Sequence, residues 1–185
     1  MKKIKWIFLL FVLLLTGCSQ KPSYHAKVID SAVEGIEYQC AGDVGFSSKN
    51  GEIECVYMPL GFKIGNIKIG ILYSIPEDGI IFPQDMLGVA RENITDENVQ
   101  KLTMLLQTLD SDNNASNGIT ISLEESKKLK DFIDLKKISI SDLQEYLETK
   151  LNKEAILPQK ALKHLQKTMK KYNIAVDIDE SQVAY

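Results

Sequence analysis

The chain has 185 residues, 22 Lys+Arg against 25 Asp+Glu, 44% hydrophobic residues and a formal charge of −3. That length suits one modest domain or two small ones sharing a core, and the apolar fraction excludes wholesale disorder. The mildly acidic balance argues against a nucleic-acid partner held through phosphates, and three cysteines are too few for a disulfide-dense scaffold.

The chain opens with an address. Lys2, Lys3 and Lys5 precede an unbroken apolar run from Trp6 to Leu15. Ten helical residues rise only ~15 Å, about half a bilayer core, so the run is the apolar region of a signal peptide and too short for a stable span. It ends in Leu15-Thr16-Gly17-Cys18, which resembles a bacterial lipobox. The resemblance implies a lipoprotein signal peptide over residues 1–17, cleavage before Cys18, and lipidation of Cys18 on its sulfur and amine. Two or three acyl chains anchor firmly where one is marginal. An ordinary secretory signal with an incidental Cys18 is the alternative. Removing residues 1–17 takes away three lysines and no acid, leaving 19 basic and 25 acidic residues, a formal charge of −6. No later segment approaches 18 consecutive apolar residues, so the lipid would be the membrane attachment. Ser19, a non-Asp residue after the cysteine, favours the outer membrane under the sorting habit of enteric bacteria.

Residues 18–26 are polar, contain Pro22 and read as a lipidated tether. Residues 27–81 read as a β module. Val28, Ile29, Val33, Ile36, Tyr38 and Cys40 include a period-2 stretch; Ile53, Cys55 and Tyr57 alternate; Phe62, Ile64, Ile67, Ile69, Ile71 and Tyr73 follow at mostly odd positions. Glycines and Asp78-Gly79 punctuate these runs, and Asn50-Gly51 is the strongest hairpin signal. Five or six short antiparallel strands, forming a small sandwich, are expected. Residues 82–185 read as a helical region introduced by a connector over 80–91 with Pro83. Thr95 is the expected N-cap of a helix with Val99, Leu102, Leu105, Leu106 and Leu109 on one face. Ser122 and Glu125 form a capping-box pair for a helix over 123–134, and Ile138 and Ile140 read as strand-like. Ser141 is the expected cap of a helix through Leu151. A last helix begins near Pro158, with Leu162, Leu165 and Met169 facing the core and a basic end. The fold class is α+β: a small antiparallel β-sandwich-like module followed by three or four helices packed against it.

Cys40 and Cys55 flank Asn50-Gly51 in strand-like runs and would fold in an oxidising compartment, so a disulfide between them is expected, with two buried free thiols as the alternative. A catalytic thiol would want a basic partner, and only His25 and His164 are histidines. Residues 110–118 form an acidic loop. Asp110, Asp112, Asn114 and Ser116 alternate oxygen-bearing side chains as a hard cation such as calcium requires. Ala115 stands where such loops carry Gly, and Ile121 where they carry a bidentate Glu, so affinity should be weak, ~10⁻⁴ to 10⁻³ M. The alternative is a polar loop whose side chains cap backbone groups.

Leu105-Leu106-Gln107-Thr108-Leu109-Asp110-Ser111-Asp112 followed by Asn117-Gly118-Ile119 resembles a segment recurring in uncharacterised proteobacterial surface or periplasmic lipoproteins, with Asn113 where Gly is usual. Asp30 to Cys40 resembles their first strand, and Asn50-Gly51-Glu52-Ile53 resembles a turn of carboxypeptidase-regulatory-like, transthyretin-like β modules. The resemblance covers about residues 28–121. It implies an exported lipoprotein with a β module ahead of a helical part, and transfers no catalytic residue. The expected function is a lipid-anchored, non-catalytic binding or structural accessory protein of the bacterial envelope, acting in adhesion or assembly with an envelope protein partner. One rival is a small metal-dependent hydrolase with Asp85, Asp110, Asp112 and Glu124 in a cleft. Another is an inhibitor or immunity-like lipoprotein.

Overall fold

A computed structural model describes residues 23–184. The signal segment 1–17, Cys18 and most of the tether lie outside the described residues. Strand β1 (Tyr24–Val28) already occupies the end of the segment expected as tether, burying Ala26 and Val28 and exposing the residues between. It is followed by β2 (Val33–Glu34), β3 (Glu37–Cys40), β4 (Asp43–Phe46), β5 (Glu52–Cys55), β6 (Leu60–Ile64), β7 (Ile67–Leu72) and β8 (Ile80–Ile81). The later part adds helices α1 (Pro83–Leu87), α2 (Glu97–Thr108), α3 (Leu123–Ser126), α4 (Ile140–Leu151) and α5 (Pro158–Lys171). It also adds two short strands, β9 (Ile119–Thr120) and β10 (Ile133–Asp134).

The fold is α+β, as expected, with pairings that are partly parallel. β5-β1-β8 form one sheet, β10-β7-β6-β3-β4 a second, and β2-β9 a two-stranded ribbon. β8, β9 and β10 join their neighbours in parallel. One buried cluster runs from Ala26 to Val183, so both parts of the chain share a core. α1 packs on β7, and α2 packs on α1, α4 and α5. α5 buries Ala161, Leu162, Leu165, Thr168 and Met169, as its periodicity predicts.

Several local expectations fall to tertiary pairing. Asn50-Gly51 closes no hairpin, because β4 pairs with β3 and β5 with β1. Gly51 instead brings two segments together: at φ 75° its carbonyl accepts from Val28 N at 2.8 Å, and an added Cβ would stand 2.4 Å from Val28 O. The true hairpin β3–β4 turns at Ala41-Gly42, both at positive φ, the geometry that suits the twist of paired strands. Asp96, and not Thr95, caps α2 by accepting from Asn98 N and Val99 N; the Thr95 hydroxyl donates to Gln182 Oε1. Ser122 caps α3 through Glu125 N, as expected, yet the helix stops at Ser126. Asn66 N and Nδ2 draw in the carbonyls of Leu129 and Lys130, and β10 then pairs beside β7. Ser139 caps α4, so Ile138 and Ile140 form no strand. The connector contains α1, begun by Pro83, whose fixed φ suits a first turn.

Candidate functional site

The acidic loop leaves α2 at Asp110, which is 1% exposed. Its Oδ2 accepts from Asn114 N at 2.7 Å and its Oδ1 from Thr120 N at 3.0 Å. Asp112 Oδ1 accepts from Asn114 N at 2.9 Å and Oδ2 from Asn117 Nδ2 at 2.8 Å. Asn114 Oδ1 accepts from Ser116 N at 3.3 Å. The loop is thus closed on its own N–H groups, and both carboxylates converge on Asn114 N. Burial above all pushes the Asp110 carboxyl above its usual range, with adjacent Asp112 adding to the shift; the Asn117 amide holds Asp112 below it. Glu125 on α3 is paired with Lys153 at 3.3 Å, and the same Nζ donates to Asp110 O at 3.4 Å. Among the described residues no group of three or more His, Cys, Asp or Glu side chains is arranged to hold a metal ion. The residues expected to hold calcium therefore share one loop, with the side-chain oxygens of Asp110, Asp112 and Asn114 also serving backbone donors.

The carboxylates of the rival hydrolytic reading are dispersed among other partners. Asp85 Oδ2 accepts from Phe82 N at the start of α1 and from Arg91 Nη2 at 2.9 Å. Arg91 also binds Asp78 and the Ile80 carbonyl and lies 4.8 Å above the Phe82 ring. These two carboxylates raise the Arg91 pKa, Asp78 foremost. Arg91 is therefore a structural clamp tying β8, α1 and the preceding loop.

A polar cluster that the sequence did not signal lies where β1, α2 and α5 meet. Asp30 is fully buried; Gln107 Nε2 donates to its Oδ2 at 2.9 Å and to Ala161 O at 3.0 Å. Asp30 Oδ1 has no hydrogen-bond partner among the described residues. Burial pushes this carboxyl well above its ordinary range, against the opposing Gln107 bond. Next to it, Ser31 stands at φ 57° with Oγ 3.0 Å from His164 Nε2. His164, on a helix with a basic end, is half-buried and not simply solvated, and desolvation lowers its pKa, with Lys171 and Lys167 contributing. A hydroxyl beside a neutral imidazole is the first pair of a nucleophile–base system, but the surface depressions described here are lined by neither residue. The available signal was slight: Asp30 ends the apolar pair Val28-Ile29, and Gln107 interrupts a leucine-rich helix.

Cys40 and Cys55 are joined, tying the five-stranded sheet to the three-stranded one. A depression of about 610 Å³ beside β1 and β5 is lined by paired polar side chains, including Lys27 with Glu52 at 3.3 Å. The open face of the five-stranded sheet differs. Its registers place Val44, Gln39, Gly61 and Ile71 in one cross-strand row and Phe46, Glu37, Lys63 and Lys68 in the next. Val44, Phe46 and Ile71 are 58%, 50% and 40% exposed, and Phe132 beside β10 is 93% exposed. A depression of about 310 Å³ lies between Gly61, Ile71 and Phe132. No helix among the described residues is long and apolar enough to cross a membrane. No family model, curated protein or solved structure matches the chain.

Proposed function

We propose that this chain is a lipid-anchored protein of the bacterial envelope, held by acylated Cys18 at the outer membrane, that works by binding a partner protein. The observation that carries the binding role is the open sheet face, where Val44 and Phe46 stand in water on edge strand β4 and Ile71 and Phe132 stand in water by β7 and β10, with β3 and β6 between the two pairs. Grouped exposed apolar side chains mark interaction surfaces, and an edge strand offers backbone donors and acceptors to an added strand. The ionisable groups support the same reading. Asp78, Asp85 and Arg91 clamp the fold, and Asp110 and Asp112 close a loop. The loop joins α2 to β9, which pairs with β2. A weakly held calcium ion on Asp110, Asp112, Asn114 and Ser116 would relieve the repulsion between two adjacent carboxylates and stiffen that junction.

The test is photo-crosslinking in cells from a reactive residue placed at Phe46 or at Phe132, with Lys167 on the solvated side of α5 as control. The expected outcome is one adduct of defined mass from both sheet-face positions and none from Lys167, lost on Val44→Glu. The same adducts from all three positions, or none from any, would refute the reading.

A further inference from the structure

Strands β1, β3, β4, β5, β6 and β7, drawn from both sheets, stop together at one end of the molecule. Tyr24 pairs with Cys55, Cys55 is bonded to Cys40, Cys40 pairs with Leu60, and Leu60 with Leu72. This row crosses both sheets. Beyond it lie the start of the described chain at Ser23, the Ala41-Gly42 turn, residues 56–59 and residues 73–76. Across the Ala41-Gly42 turn the row continues from Cys40 to Asp43, its one charged residue, and those segments carry no other, although a quarter of the chain is charged. They carry three tyrosines instead: Tyr24, Tyr57 and Tyr73 are 48%, 53% and 75% exposed. Met58 and Ile75 pack beneath, against the core. The disulfide makes the end a rigid platform, because it joins the two sheets in the middle of the row.

An end with several exposed tyrosines and a single charge, Asp43, at its β4 margin suits the boundary between hydrocarbon and water. The ring is apolar and the hydroxyl wants a polar neighbour, which is why tyrosine gathers at the headgroup level of membranes. The position of this end names its occupant. The chain enters the fold here, and Tyr24 is the sixth residue after Cys18. Fully extended, that length of chain reaches only ~20 Å. An acyl anchor on Cys18 therefore holds this end, and no other, next to the bilayer.

We propose that the tyrosine-bearing end seats in the phospholipid headgroup layer of the membrane that carries the anchor. The proposal rests on the reading of Cys18 as acylated. Seating sets the orientation of the body, with strands β1 and β3 to β7 pointing their common end at the lipid and the open sheet face standing to the side. Among the described residues no lysine or arginine lies at this end, Lys21 of the tether falling outside them, so the contact uses the interfacial ring and not charge. It persists in high salt and needs no anionic lipid.

The mature chain supplies its own clean background, because its one tryptophan, Trp6, lies in the segment removed on export. The acylated protein carrying Tyr73→Trp is placed in phosphatidylcholine vesicles containing brominated phosphatidylcholine, with Phe46→Trp as the reference and Tyr24→Trp as a second probe should the first disturb folding. Mass spectrometry of the same samples reads acylation at Cys18. The expected result is indole quenching in the Tyr73→Trp and Tyr24→Trp proteins about twofold or more stronger than in the reference, as fits residues at headgroup depth against one held in water. High salt should leave it unchanged. Acylated protein whose end probes are quenched no more than the reference overturns the proposal. So does protection of the end probes from an aqueous quencher without bromolipid quenching, which assigns the end to a second copy or another protein. Absence of acyl mass at Cys18 overturns the anchoring reading itself, and the seating with it.

Discussion

Breaking the Cys40–Cys55 bond perturbs the fold at the joint between its two larger sheets. The bond closes a loop with a sequence separation of 15 and has its cysteines 7% and 1% exposed. In the chain-entropy description a loop of that size restricts the unfolded state by about 3 kcal/mol. For a body of this length, 1 kcal/mol moves the thermal midpoint by about 2–4 °C, so reduction should lower it by ~6–12 °C. The double replacement Cys40→Ala/Cys55→Ala adds small cavities where two buried sulfurs were, at ~1 kcal/mol each. It should therefore fall further than the reduced protein. The assay is thermal and guanidinium unfolding of residues 19–185, oxidised, reduced and doubly substituted, after thiol titration in denaturant has shown no free thiol. A loss below ~1 kcal/mol on reduction would refute the loop-closure reasoning, since it would mean that the two cysteines stay close in the unfolded chain.

Two further outcomes follow from the ionisable groups. Burial raises the Asp30 carboxyl in the folded protein, so its contribution to stability is present below the unfolded value of about 3.9 and is lost as pH rises through the folded one. Asp30→Asn should flatten that decline and gain on the order of 1–3 kcal/mol at pH 7; denaturant curves of the two proteins that stay parallel from pH 4 to 8 would contradict it. Calcium held with a Kd of ~1 mM would add ~1.4 kcal/mol at 10 mM, a rise of roughly 3–6 °C over the EDTA-treated protein. An equal rise with magnesium, or in Asp110→Ala/Asp112→Ala, would remove the ion from the loop.

The disulfide pairing and the α+β class were legible because they rest on local facts. Both cysteines sit in alternating segments of a chain whose first residues read as an export signal, and α5 repeats its apolar residues at helical spacing. Caps were legible in type and misplaced by a residue or two: Asp96 for Thr95 and Ser139 for Ser141. Adjacent polar residues compete for the same orphan N–H groups, and the winner depends on where the chain arrives. The acidic loop was legible as a loop. That Asp110 also accepts from Thr120 N required the return of β9 beside β2.

Period and composition reach only as far as neighbours along the chain. They carry the reading of residues 1–18 as an address, the alternation of β5 and the stripe of α2. What lies across the fold was settled by packing. Strict alternation would hold Ile67, Ile69 and Ile71 on one face. The β6–β7 register shifts at Phe62/Lys63, Ile69 and Gly70 are both buried, and Ile71 turns out to solvent. Gly70 is where α1 presses on the sheet, an added Cβ meeting Met86 O at 2.0 Å. The bulge thus exists because a helix 13 or more residues downstream needs the space. One displaced residue inverts the side-chain phase of everything after it. It places Ile71 and Tyr73 outside, on the two surfaces to which the binding and membrane-seating roles are assigned.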